Sequence, residues 1–231
     1  NIHAVMANAY AHADIQGDLI YESLRKFTLG LGWRMNHHST YGNNYTYEIN
    51  PSYQLSEHAL VFASYATGFN APSLYRLFTP DTYYTSNIQR GNRNLRPETS
   101  LSYELGYKQA LKDIQFSFSF YYTKIKNYID FVYLWDKNIP INSLGTDFLR
   151  DDYRGDTYLN IGDQVNQGID AGISGRVNSR LVFFGNAAYI RGQLQYDPSL
   201  IDAAKTQGNQ VQLYSNGAFL NEGIKTSKLI R

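Results

Sequence analysis

The strongest constraint on this chain is a period of two. From Leu101, the residues Leu101, Tyr103, Leu105 and Tyr107 alternate with Ser102, Glu104, Gly106 and Lys108, and after Leu111, Lys112 and Asp113 the pattern restarts. Ile114, Phe116, Phe118, Phe120 and Tyr122 then share one face, with Gln115, Ser117, Ser119, Tyr121 and Thr123 on the other. Side chains that change sides at every residue mean strands, and two strands around a tight polar turn mean a hairpin. One face is too apolar for the open side of a soluble sheet, and the other is too polar for a sandwich core. Strands of about ten residues, apolar outward and polar inward, describe a transmembrane β-barrel. In hydrocarbon every backbone polar group must be paired within the protein, so a sheet persists there only when closed.

The same pattern recurs along the chain. Phe27, Leu29, Leu31, Trp33 and Met35 alternate with Lys26, Thr28, Gly30, Gly32, Arg34 and Asn36. Tyr45, Tyr47, Ile49 and Tyr53 alternate with Thr46, Glu48, Asn50, Ser52 and Gln54, and Pro51 falls on the apolar side, where it removes a ladder bond unless it sits at a bulge. Val165, Ile169, Ala171, Ile173 and Val177 alternate with Asn166, Gly168, Asp170, Gly172, Ser174 and Arg176. Further strands are expected over residues 2–15, 60–69 and 181–196. The expected fold is all-β and antiparallel, with about nine or ten strands, a size open to membrane barrels. The connections should run short near 24–26, medium at 37–44, short at 55–59, long at 70–98, short at 111–113, long at 129–157, short at 178–180 and long from 197. That alternation places tight turns at one end and large loops at the other, the periplasmic-turn and extracellular-loop asymmetry of outer-membrane barrels. No fixed repeat of a solenoid or propeller is present.

Composition agrees. Tyr outnumbers Phe, 21 to 12, and an apolar ring with a polar tip suits the two membrane interfaces. The chain has no Cys, which excludes a disulfide scaffold and a Cys-ligated zinc site. A formal net charge of +1 without a basic run gives nucleic acid nothing to bind. No run of about 18 apolar residues offers a spanning helix. Residues 1–16 lack a basic segment followed by an apolar core, so the chain is expected to be a mature protein or part of one.

Candidate chemistry is sparse. His37 and His38 are adjacent, and adjacent strand residues point to opposite faces, so they do not share a metal ion; His58 falls in a turn. Asp147, Asp151 and Asp152 supply oxygen donors, without EF-hand spacing. A barrel enzyme, the alternative to a binding protein, needs acids and histidines converging at a rim, whereas the polar faces carry Ser, Thr, Gln, Gly and isolated charges. Loops on a rigid scaffold commonly hold function, and rigid aromatics give contact area at low entropy cost. The ligand-contact candidates are therefore Tyr75, Arg76, Tyr83, Tyr84, Arg90 and Arg93 in the first long loop, and Tyr133 and Trp135 in the second. Arg90, Arg93 and Arg96 could instead pair with Glu98 or Asp81. Arg34, Glu48, Glu104 and Lys108 are expected on the lumen side, pairing with one another or with whatever fills the lumen. No metal or other cofactor is expected.

Two stretches carry a family resemblance. Gly68-Phe69-Asn70-Ala71-Pro72, followed by Asn92-Arg93-Asn94-Leu95-Arg96-Pro97-Glu98, resembles the strand-turn and strand-opening boxes of TonB-dependent outer-membrane receptors. In those boxes Gly68, Phe69, Ala71, Pro72, Asn92, Asn94, Leu95, Pro97 and Glu98 are the structural-motif positions. Residues 28–42 and 158–173 resemble two further strands of the family, with Asp170 where Glu is more usual. The resemblance spans roughly residues 25–195. It implies a barrel of ~22 strands with a plugged lumen. Residues 1–231 would then be part of that barrel, with the plug and closing strands outside this sequence. It further implies that the protein is not an enzyme but an outer-membrane, multi-pass active transporter. TonB would be its partner, and a surface lipoprotein could be a second. Its ligand would be a scarce nutrient, cobalamin first, a ferric siderophore or haem as alternatives. The absence of His from residues 73–91 and Asn70 in place of Arg count against haem.

Overall fold

Eight long strands form where the alternation is written. They are β1 (Met6–Gln16), β2 (Phe27–His38), β3 (Gly42–Ser56), β4 (Ala59–Asn70), β5 (Glu98–Leu111), β6 (Ile114–Leu134), β7 (Asp156–Asn178) and β8 (Leu181–Tyr196), each antiparallel to its chain neighbours. The computed structural model describes residues 3–80, 82–83, 88–89, 91–134 and 156–196, and short strand pieces at 206–208, 214–215, 218–219 and 229–230. Leu229–Ile230 adds to the outer edge of β8. Among the described residues β1 and β8 do not meet, so the sheet is an open stretch of barrel wall. No helix among them is long and apolar enough to cross a membrane.

The apolar side of this wall is not a packed interior. Leu105 stands opposite Phe120, Phe120 opposite Ile169, and Ile169 opposite Tyr189, yet Leu105 is 62% exposed, Phe118 48% and Phe120 45%. A soluble monomer rarely bares a contiguous apolar patch beyond roughly 300–600 Å²; lipid covers such a band at no desolvation cost. The band ends in a tyrosine row. Ring centroids are 5.8 Å apart for Tyr47–Tyr65, 5.1 Å for Tyr65–Tyr103 and 6.4 Å for Tyr103–Tyr122, and Trp33 stacks on Tyr45 at 6.1 Å. One step beyond Tyr122 the face turns charged, where Lys124 Nζ meets Asp163 Oδ2 at 2.9 Å. The stretch Ile114–Tyr122 matches the ~9–11 residues a tilted strand needs to cross. β6 has 21 residues and β7 has 23, so at about 3.3 Å per residue both run well past the girdle.

On the polar side, small residues make room for large ones. The Phe62 ring lies over Gly106, where a Cβ would stand 2.2 Å from the ring, and the Lys108 ammonium sits 5.0 Å from the centre of that ring. The expected mutual pairing of Arg34, Glu48, Glu104 and Lys108 is not found; among the described residues no ion pair joins them. Their cross-strand neighbours explain this. Glu104 lies between Ser64 and Tyr121, Lys108 between Leu60 and Ser117, and Arg34 between Tyr10 and Thr46. Glu48 instead reaches across Gly32 to His12, 3.5 Å from Nδ1, and His12 Nε2 is 3.3 Å from Asp14.

Connections depart from expectation at three places. Residues 17–26 form a longer link with two 3-10 turns, Gly17–Leu19 and Glu22–Leu24, rather than a tight turn at 24–26. The expected medium loop at 37–44 is a tight turn, because β2 and β3 stay paired up to His38 and Gly42, with Gly42 at φ 70°. His38 is buried there, its ring 4.9 Å from that of Tyr41. Finally, β6 continues to Leu134 and β7 begins at Asp156, well inside the loop expected over 129–157. The alternation loses phase at register shifts between Ile125 and Ile129, where Asn127 takes a left-handed φ of 55°.

Pro51 costs its ladder bond without a bulge. β3 pairs with β4 in one register on both sides of it, from Glu48–Ala66 and Ile49–Tyr65 to Ser52–Phe62, but no pair forms at Asn50 and Pro51. The Ser64 hydroxyl donates to Asn50 Oδ1 across the gap at 2.8 Å. Above Glu48–Ala66 the ladder stops, and the Thr67 hydroxyl takes over, accepting from Tyr47 N at 2.9 Å and donating to Tyr47 O at 3.3 Å.

Candidate functional site

The long loop between β4 and β5 is a built object. Pro72 is buried at its start, where its ring rigidifies the exit from β4. Ser73 caps the short helix α1 (Leu74–Phe78), its Oγ accepting from Arg76 N at 3.3 Å. The descending and returning limbs are then joined by backbone bonds, Gly91 N to Thr79 O at 2.9 Å and Asn92 N to Arg76 O at 2.8 Å. Gly91 permits that approach, since a Cβ there would lie 2.7 Å from Thr79 N and 2.8 Å from Leu77 O. Farther out, Thr82–Tyr83 pairs with Ile88–Gln89, and Gln89 pairs with Asp156 of β7. The result is a two-limbed stem.

The returning limb clamps this stem to the wall. Asn92 Nδ2 donates to Tyr158 O at 2.8 Å and Asn92 Oδ1 accepts from Asn94 N at 2.9 Å. Arg96 N donates to Asn160 Oδ1 at 2.8 Å. Asn160 Nδ2 donates to Arg96 O at 2.9 Å and to Asn127 O at 2.7 Å. Glu98 accepts from Ile129 N at 2.8 Å and from Asn70 Nδ2 at 2.7 Å. Tyr41, from the β2–β3 turn, donates to Leu95 O at 3.0 Å. Beneath these bonds Leu77, Leu95 and Ile129 form a buried cluster, with Phe78 and Tyr158 packed on it. Within the box, Asn92 and Glu98 thus satisfy backbone groups of the wall, and Leu95 anchors the limb.

On this stem stand three of the sequence-derived ligand candidates, Tyr75, Arg76 and Arg93. Tyr75 is 55% exposed, its hydroxyl accepting from Gln89 Nε2 at 2.8 Å and its ring edge-on to Tyr158 at 6.5 Å. The Arg76 guanidinium lies 5.3 Å from the Tyr158 ring centre, a cation–π contact worth about 0.5–1 kcal/mol. Arg93 lies over Phe78 at the same distance. Burial pushes the Asp130 carboxyl above its ordinary value, and the Phe131 N–H and nearby Arg76 pull it back. The expected pairing of Arg93 or Arg96 with Glu98 does not occur, because Glu98 is taken by Ile129 and Asn70. Tyr84, Arg90 and Trp135 lie outside the described residues, as do Asp81 and the side chains of Tyr83 and Tyr133; Asp147, Asp151 and Asp152 lie outside as well. Gly68 and Phe69 lie in β4 just before its last residue, Asn70, and Ala71 and Pro97 flank the stem. Sequence reasoning missed Gly91, Asn127, Tyr158 and Asn160. The one available signal was Asn160, a strand-averse residue between Leu159 and Ile161.

An antiparallel wall with a lipid-facing apolar band, a tyrosine girdle and a braced loop at one end is a stretch of transmembrane β-barrel. The sequence matches the family described as TonB dependent receptor-like, beta-barrel, over residues 7–219, and the chain belongs to that family. It is 33% identical over 107 residues to the vitamin B12 transporter BtuB of Vibrio cholerae, which covers 46% of this chain and 16% of that protein. It is 31% identical over 113 residues to the ferric enterobactin receptor of Pseudomonas aeruginosa, covering 45% and 15%. To the hemin receptor of Yersinia pestis it is 31% identical over 86 residues, covering 30% and 13%. The ferric enterobactin receptor PfeA of Pseudomonas aeruginosa, solved in complex with enterobactin, superposes with a TM-score of 0.61 at 18% identity, over 98% of this chain and 36% of that one. That last likeness shows the fold, and this chain spans about a third of the solved receptor.

Proposed function

We propose that the protein is part of an outer-membrane receptor that captures a scarce chelated nutrient at its loop end and passes it inward with energy delivered by TonB. Vitamin B12 is the first ligand to test, and a ferric siderophore or haem the alternatives. The observation that carries the reading is the clamped stem, which holds Tyr75 exposed and Arg76 against the Tyr158 ring beside it. A pre-ordered aromatic and a cation bind with little ordering cost. The names of the relatives supply the ligand order, and the lack of His from residues 73–91 leaves haem iron without a histidine ligand on that loop. The enzyme alternative finds no support in family membership. TonB would act through a plug filling the lumen, against the polar face that carries Glu104, Lys108 and Arg34.

The test is uptake by cells carrying the intact receptor, offered cyanocobalamin, ferric enterobactin or hemin, with and without TonB. Saturable uptake of one compound, lost without TonB, is expected. Uptake of none, or uptake indifferent to TonB, overturns the reading. Heat-modifiable migration on a gel checks barrel formation separately.

A further inference from the structure

We infer that Asn160 is the positioning residue of the loop end: it fixes where Tyr75 and Arg76 stand above the wall, and through them the capture of ligand. The second half of this inference rests on the receptor reading; the first does not.

Asn160 sits in β7 with 9% of its surface exposed. Its carboxamide bonds both the N–H and the C=O of Arg96, at 2.8 and 2.9 Å. That is what a neighbouring strand residue does to its partner in a ladder. The remaining amide hydrogen goes to Asn127 O at 2.7 Å. Asn127 is the left-handed residue where the β6–β7 register breaks. One side chain thus replaces the missing ladder at the bulge and fastens the returning limb to the same two strands. Two residues along β7, Tyr158 accepts from Asn92 through its backbone and supports Arg76 and Tyr75 with its ring. The stem is therefore gripped at Asn92 and Arg96 by residues two apart on one strand. The limb-to-limb bonds at Thr79–Gly91 and Arg76–Asn92 carry that placement across to α1. Only a carboxamide of this length serves. Asp keeps the acceptor but has no hydrogen for either carbonyl, and Ala leaves three backbone groups unpartnered.

The stretch has no native cysteine, so a spin-label pair can be placed at Asn94→Cys on the stem and Arg191→Cys on β8 of the intact receptor in outer-membrane vesicles. The native side chain at 160 should give one narrow distance distribution. Asn160→Ala should widen it at least twofold, with heat-modifiable migration unchanged. Asn160→Asp, nearly isosteric, should widen it equally at pH 7.5. It should narrow again as the pH is lowered and the buried carboxyl, its pKa raised by burial, regains a proton to donate. Affinity for whichever of cyanocobalamin, ferric enterobactin or hemin the native receptor binds should fall about tenfold or more in both variants. A distribution as narrow in Asn160→Asp as in the native receptor overturns the positioning role, and it decides the matter if the Ala variant fails to insert. Widening with unchanged probe affinity overturns the link to capture. A native receptor that binds none of the three probes sinks the receptor reading, while the distance measurement still judges Asn160.

Discussion

The β3–β4 seam and the β6–β7 seam are written in the same alternating code, and each loses its backbone ladder part-way along. At β6–β7 the loss falls at the bulge around Asn127, where the buried amide of Asn160 bonds Asn127 O and the half-buried carboxylate of Glu98 accepts from Ile129 N. At β3–β4 the loss falls at Pro51 and again above Glu48–Ala66, and side-chain hydroxyls bridge it, those of Ser64 and Thr67 and the Tyr47–Tyr65 pair at 3.5 Å. A broken ladder is therefore not in itself a weak point. What matters is whether side chains take up the groups it frees, because an unmade bond in a dry site costs about 1–3 kcal/mol. The wall thus has a stiff sector that carries the stem and a looser one that carries the β2–β3 turn, linked by the bond from Tyr41 to Leu95 O.

The largest effect is expected from Gly91→Ala. A Cβ placed against Thr79 N and Leu77 O must part the limbs. A cost of about 2–3 kcal/mol, in the range for overpacking, should raise hydrogen exchange at the amides of residues 91 and 92, which donate across the limbs, by roughly 30–150-fold. Unchanged exchange there would mean the stem is not held by its limb-to-limb bonds. Glu98→Ala comes next. It strips the partner from the buried Ile129 N–H, at about 1–3 kcal/mol, and limited proteolysis after Tyr75 should quicken about tenfold or more. No change in cleavage would make the two seams equivalent after all.

In the loose sector the sign reverses. Pro51→Thr restores an N–H directed at β4, a gain of about 1 kcal/mol, offset by about 0.4–1 kcal/mol from the freer unfolded chain. Global stability in urea should barely move, whereas amide protection at residues 49–53 and 61–65 should rise severalfold. A fall in protection would show that Pro51 braces this seam rather than opening it. The smallest effect belongs to Lys124→Ala. Its ion pair with Asp163 has side chains 33% and 30% exposed, and such pairs contribute about 0–1 kcal/mol. A loss well above that, read from the urea midpoint, would credit the stiff seam to charge instead of to Asn160.

How far the sequence reached can be judged residue by residue. Phe116, Phe118 and Phe120 face outward as their spacing requires, and Tyr103 and Tyr122 fall in the girdle. The Asn92–Glu98 box was visible as a pattern, but its work was not, since its partners Tyr158 and Asn160 lie 66 and 64 residues away from Asn92 and Arg96. The tight 39–41 turn was hidden because His37–Asn44 is rich in turn formers that the pairing of β2 with β3 overrides. The far end of β6 was hidden because the bulge shifts the phase of the alternation.

What the sequence determined alone is everything that repeats over neighbouring residues: the strands, the two faces, the apolar band and the family. Period two is a property of the extended backbone itself and needs no partner to be read. What the tertiary structure decided is which freed groups meet which side chain, because a hydrogen bond is chosen by distance in space. That choice made one sector of the wall stiff and left the other loose.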